Sequence, residues 1–172
     1  TAARRQAARP DLHVVAPMAN PACRAAFEAQ LARASSSPRI RLLDGQSALA
    51  LRAADAVLLA SGTAALEALL AGTPMVVGYR ISALTHWIVR TFGLLKVSHF
   101  SLPNALAGRA LVPECLQDDC RPEVLEAALA PLLDSPAAAA AQTGAFADIH
   151  ATLRQGASVS AATAIAELID AR

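Results

Sequence analysis

In the run ADAVLLASGTAALEALLAGTPMVVGYR, residues 54–80, two apolar stretches are joined through a small polar knot, Ser61-Gly62-Thr63. One acid, Glu67, stands in the segment that follows. A glycine lets backbone come close to a ligand, and two hydroxyls add donors and acceptors. If a helix begins here, its free N–H groups and positive dipole end complete a cradle for a diphosphate. Glu67 is four residues past Thr63, on the same helical face and ~6 Å further along the axis. A carboxylate there suits the two hydroxyls of a ribose, so the spacing fits a nucleoside diphosphate. The same residues also have a plain structural reading. Serine or threonine before a helix is commonly an N-cap, and a glutamate in the next turn is commonly solvated. Spacing alone leaves both readings open.

The elements that must position these residues are legible around them. Residues 56–60 (AVLLA) lack alternation, as in a strand buried on both faces of a parallel sheet. Residues 63–71 carry Leu66, Leu69 and Leu70 at helical spacing, with Gly72 as the stop and Pro74 beyond. Residues 75–79 (MVVGY) form a second buried strand. Strand, helix and strand make a βαβ unit, which places the knot at the carboxyl edge where open α/β sheets bind ligands. Upstream, strands are expected at 12–16 and 39–43, with a helix between them capped by Asn20 before Pro21. Asp44-Gly45 is a turn pair, and a short helix covers 46–53. Downstream, 81–95 is expected helical and 98–102 a last strand. Helices then open at Pro122, at Ser135-Pro136 and at Gly156-Ala157-Ser158. Ile165, Leu168 and Ile169 of the final helix are expected to pack inward. The fold class is thus α/β, a parallel sheet flanked by helices and ending in about three helices.

At 172 residues the chain can bury one sizeable core. It is 55% hydrophobic and 17% charged, with a formal net charge of +1. That balance, without a basic patch carrying aromatics, argues against a nucleic-acid partner. Charge-free runs such as 135–147 fall short of the ~18 residues of a membrane span. The N-terminus lacks the layout of a signal peptide. Cys23, Cys115 and Cys120 match no zinc spacing and read as free thiols in a reducing compartment. His13, His86, His99 and His150 are scattered, each without a positioned acid or cysteine, and read as structural. The segment 81–100, ISALTHWIVRTFGLLKVSHF, mixes Trp87 and Phe92 with Arg90 and Lys96. It reads either as a helix packed on the sheet or as a surface for a membrane or an acyl chain. The chain starts with Thr1, and residues 1–9 read as the tail of a helix. The expectation is a C-terminal piece of a longer protein.

The longer text narrows the ligand. "ADAVLLASGTAALEALLAGTPMVVGYR", "SLPNALAGR" at 101–109, "VPECLQDDCRPE" at 112–123 and the tail "FADIHATLRQGASVSAATAIAELI" together resemble the C-terminal half of lipid-A-disaccharide synthase. The resemblance covers nearly the whole chain. It implies the C-terminal, Rossmann-like half of a two-domain (GT-B) glycosyltransferase, with residues 1–172 as the UDP-sugar-binding domain. The family transfers 2,3-diacylglucosamine from its UDP donor to 2,3-diacylglucosamine 1-phosphate and releases UDP. It inverts the anomeric centre, uses no metal or other cofactor, and works peripherally at the cytoplasmic face of the inner membrane.

Carried onto this sequence, the resemblance makes Ser61, Gly62 and Thr63 the diphosphate turn and Glu67 the ribose acid. Gly45 and Gln46 become weaker candidates beside the uracil. Asn104 and Arg109 become donor or acceptor ligands at the cleft, so Asn104→Ala is expected to lower transfer far more than stability. The general base, much of the acceptor site and a basic "PGSR" loop are implied to lie in the missing N-terminal half. This chain alone is then expected not to catalyse transfer. The alternatives are another UDP-N-acetylglucosamine transferase or an epimerase of the same fold, both disfavoured by "SLPNALAGR", or a non-catalytic nucleotide-binding module.

Overall fold

A computed structural model describes residues 1–34, 36, 38–60, 62–81 and 99–170. The chain opens with helix α1 (Ala2–Ala8), strand β1 (Val14–Met18), helix α2 (Pro21–Arg33) and strand β2 (Ile40–Asp44). Helix α3 (Ser47–Ala53), strand β3 (Val57–Leu59), helix α4 (Thr63–Ala71) and strand β4 (Met75–Tyr79) follow. After residues 82–98 come helix α5 (Leu102–Ala107), strand β5 (Glu114–Leu116) and a tight 3-10 turn at Gln117–Asp119. Helices α6 (Pro122–Asp134), α7 (Pro136–Leu153) and α8 (Ala157–Asp170) end the chain. The fold is α/β with parallel strands flanked by helices, as the alternation of periods in the sequence requires.

Among the described residues all strand pairings are parallel, but they form two sheets where one was expected. β1 pairs with β2 from Val14↔Ile40 to Met18↔Asp44. β4 lies between β3 and β5, with Val57↔Met75 and Val77↔Glu114 in register. Among the described residues no ladder joins β1 to β3; α3, which packs on both β1 and α4, ties the two groups of strands together.

The core is built on β4. Met75 and Val77 face one side with Ala65, Ala68 and Leu69 of α4, Val112, and Phe146 of α7. Val76 faces the other side with Cys115 and Leu132, against which Leu125 and Leu129 of α6 pack. Gln142 of α7, itself buried, accepts from Met75 N–H at 2.9 Å and so satisfies the first amide of the central strand. Gly78 leaves room for Leu125 of α6 against the sheet. A Cβ there would stand 3.1 Å from Leu125 Cδ2.

Several expectations are corrected. Residues 99–101 are not a strand: the chain bends there and turns into α5. The last strand is β5, which a short acid-bearing run after Pro113 concealed. β3 is not buried on both faces, because Leu58 is exposed; that environment belongs to β4 alone. α4 itself stands where the leucine spacing put it, and it buries Ala65, Ala68 and Leu69, the two alanines letting it sit close on the sheet. Leu70 faces solvent. The final helix α8 buries none of its residues, and Ile165, Leu168 and Ile169 stand exposed. The helix expected over 81–95, with Trp87 and its neighbours, lies outside the described residues apart from Ile81.

Candidate functional site

Two strand-to-helix turns carry the residues that the sequence singled out. At the first, Gly45 (φ +68°) and Gln46 (φ 60°) both adopt left-handed backbone between β2 and α3. Gly45 N–H donates to Met18 O at 2.8 Å, which fastens the turn to the carboxyl end of β1. Both residues are exposed. At the second, Gly62 stands immediately before α4 with φ 139° and ψ −159°. Side chains rarely adopt that backbone, so the glycine is required by conformation; the space around it is open.

Among the described residues no side chain caps α4. The N–H groups of Thr63 and Ala64 have no acceptor among the described residues. The N-cap reading of the knot therefore has no hydrogen bond behind it in Gly62 or Thr63, and Ser61 lies outside the described residues. Thr63 and Glu67 are both exposed on the outward face of α4, one turn apart. That face offers orphan amides, a hydroxyl and then a carboxylate, the order the sequence anticipated. α3, which starts at the first turn, packs against α4, which starts at the second.

Helix α5 packs beside α4 and brings "SLPNALAGR" into the neighbourhood. Asn104, expected from the resemblance as a donor or acceptor ligand, is buried at 2% exposure in this chain. Its Nδ2 donates to Val112 O at 2.9 Å and to Glu114 Oε1 at 2.8 Å. Its Oδ1 accepts from Leu111 N–H at 2.7 Å and Val112 N–H at 2.8 Å. The amide is spent inside the fold, tying α5 to Leu111 and Val112 beyond the turn at Gly108. Arg109, on that loop after Gly108 (φ +63°), is exposed and has no ion-pair partner among the described residues.

Sequence reasoning missed Glu114. Its carboxylate also accepts from Phe100 N–H at 3.1 Å, Ser101 N–H at 2.9 Å and Ser101 Oγ–H at 2.6 Å. Burial is the largest single influence and opposes ionisation. The donors from Ser101, Phe100 and Asn104 together outweigh it and hold the carboxyl below its ordinary value. The available signal was an acid inside an otherwise apolar run, VPECL. Gln117 was missed too. Its side chain accepts from Ile81 N–H at 2.7 Å. The chain on either side of 82–98 is thus held from residues 114 and 117.

Among the described residues no group of three or more His, Cys, Asp or Glu could hold a metal ion. A groove of about 490 Å³ lies near the start of β1 and β2, lined by residues such as Gln6, His13 and Arg39. It includes none of the candidate residues. No single helix among the described residues is long and apolar enough to cross a membrane.

Comparison with known proteins gives this architecture relatives. The family model described as lipid-A-disaccharide synthetase matches residues 1–168. A lipid-A-disaccharide synthase of Xanthomonas campestris pv. campestris (strain 8004) is 52% identical over 165 residues, covering 95% of this chain and 37% of that protein. One from Erwinia tasmaniensis is 48% identical over 159 residues, 92% of this chain and 41% of the relative. One from Sodalis glossinidius is 50% identical over 161 residues, 94% of this chain and 42% of the relative. The chain thus spans about two fifths of the length of these relatives.

Proposed function

The chain belongs to the lipid-A-disaccharide synthetase family, and from that membership we propose that it is the donor-binding half of an inverting glycosyltransferase of lipid A synthesis. The donor is UDP-2,3-diacylglucosamine, the acceptor 2,3-diacylglucosamine 1-phosphate, and the products are the disaccharide and UDP. The observation that supports this most is the joint one: a family match over residues 1–168 and, within it, a helix start with no side-chain cap among the described residues and an exposed carboxylate one turn on.

In this reading the diphosphate lies against Ser61, Gly62 and Thr63. Orphan amides at the start of α4 point at the β-phosphate oxygens. As the glycosidic C–O bond to UDP breaks, negative charge grows on that phosphate. Donors aimed at it beforehand favour the transition state over the bound substrate. Glu67 accepts from the ribose hydroxyls. Gly45 and Gln46 pass backbone along the uracil. Arg109 supplies a cation at the mouth of the site. The base that activates the acceptor hydroxyl comes from an N-terminal half, which also carries much of the acyl-chain site. The intact enzyme works peripherally on the cytoplasmic face of the inner membrane, and this chain alone does not transfer sugar.

Glu67→Ala in the intact enzyme tests the reading. Loss of hydrogen bonds to a charged acceptor weakens UDP binding by about tenfold or more, while the melting temperature stays near wild type because Glu67 is exposed. Unchanged UDP affinity by calorimetry removes Glu67 from the site.

A further inference from the structure

Four hydrogen-bond donors converge on Glu114, Phe100 N–H, Ser101 N–H, Ser101 Oγ–H and Asn104 Nδ2–H, and three of them, the nitrogens, can only donate. A carboxylate matches that set, because it only accepts. A glutamine would set its own NH2 against a donor. The Asn104 amide is fixed in turn. Its NH2 lies between Glu114 and Val112 O, so its oxygen must face the N–H groups of Leu111 and Val112. Turning that amide over would oppose donors to donors on one side and acceptors to acceptors on the other.

The loop so held is short. α5 ends at Ala107, Gly108 turns the chain in left-handed backbone, and by Leu111 it is bonded back to Asn104. Between these points stand Arg109 and Ala110, both exposed. A long flexible arginine reaches a ligand reproducibly only if the backbone beneath it is held. Gly108 N–H donates to Ala105 O at 3.3 Å on the helix side, and on the far side the side-chain hold on that backbone is Asn104, which is bonded in turn to Glu114.

We propose that Glu114 is a positioning residue for donor binding: its carboxylate orients Asn104, and Asn104 holds the turn that presents Arg109. This rests on the reading of Arg109 as a ligand of the donor diphosphate. Glu114 itself touches no substrate.

The test is a double-mutant cycle on the intact enzyme, with the donor KM as readout. Glu114→Gln raises the donor KM about tenfold, as small misplacements of a binding group do, and leaves the acceptor KM unchanged. Combined with Arg109→Ala it adds nothing to the single Arg109 variant, because the positioned group is already gone. Multiplicative effects, or a wild-type donor KM in Glu114→Gln, overturn the positioning role while the Arg109 reading stands. A wild-type donor KM in Arg109→Ala overturns that reading, and this proposal with it. If Glu114→Gln does not accumulate as folded protein, Ser101→Ala serves instead. It removes one of four donors and keeps the charge, and its smaller rise in donor KM must likewise vanish in the Arg109→Ala background.

Discussion

Asn104 uses both amide protons and both lone pairs of its oxygen inside the protein. Truncation to alanine would strand the N–H groups of Leu111 and Val112 and the carbonyl of Val112 in a buried site, while Glu114 Oε1 keeps its two donors from Ser101. Asn104→Ala therefore costs stability, by about 3 kcal/mol, read from urea unfolding. This reverses the expectation from sequence, which put the loss mainly on turnover. Wild-type stability would restore the ligand-facing reading. The difference between Asn104 and Gly62 shows what a sequence reveals at this scale. Gly62 was legible because a turn from strand to helix constrains φ locally. Asn104 and Glu114 were not, because their partners lie 7 to 14 residues away and only the fold brings them together.

Among elements, helices announced themselves where their ends carry local chemistry. Asn20 accepts from Cys23 N–H at 2.9 Å, and Ser135 caps α7 through Ala138 N–H. β5 had no such mark. It is three residues long, and its acid reads as a loop residue until the donors around it are seen. Those donors make α5 sensitive to acid. Glu114 has a folded value below its unfolded one, so its contribution is complete above the ordinary glutamate range. It is lost as pH falls through the lowered value. Acid melting followed by exchange of the Phe100 and Ser101 amides should show them released in that window, and Glu114→Gln should abolish the pH step. α8 makes the opposite case. Its apolar spacing predicted burial, yet spacing specifies only a face, not what covers it. Ile165→Gln with Leu168→Gln should change the unfolding free energy of the chain by no more than about 0.5 kcal/mol per site, read from urea unfolding.

At the scale of the molecule, the parallel α/β plan followed from the alternation of strand and helix periods, whereas the division into two sheets did not. Pairing is decided by edges that meet only in three dimensions. The same holds for the seam between the first helix and α6. Arg4 bonds Glu126 at 2.8 Å and Glu123 at 3.3 Å, while Arg5 grips both oxygens of Asp134 at 2.8 Å. These contacts are unequal. Arg4 is half exposed, whereas the Arg5 side chain is 8% exposed. Arg5→Ala should cost about 2 kcal/mol in chemical denaturation, and Arg4→Ala clearly less. Equal losses would mean that the seam is held by helix packing rather than by the Arg5 fork.

That seam also orders events in time. Arg5 and Asp134 are 129 residues apart. On a ribosome the first helix emerges long before its counterpart exists, and it waits without its acids while the strands assemble. Closing so long a loop costs entropy that local helices and hairpins do not face. Docking of α1 on α6 is therefore a late step, the clasp that locks a domain whose central strands are already paired.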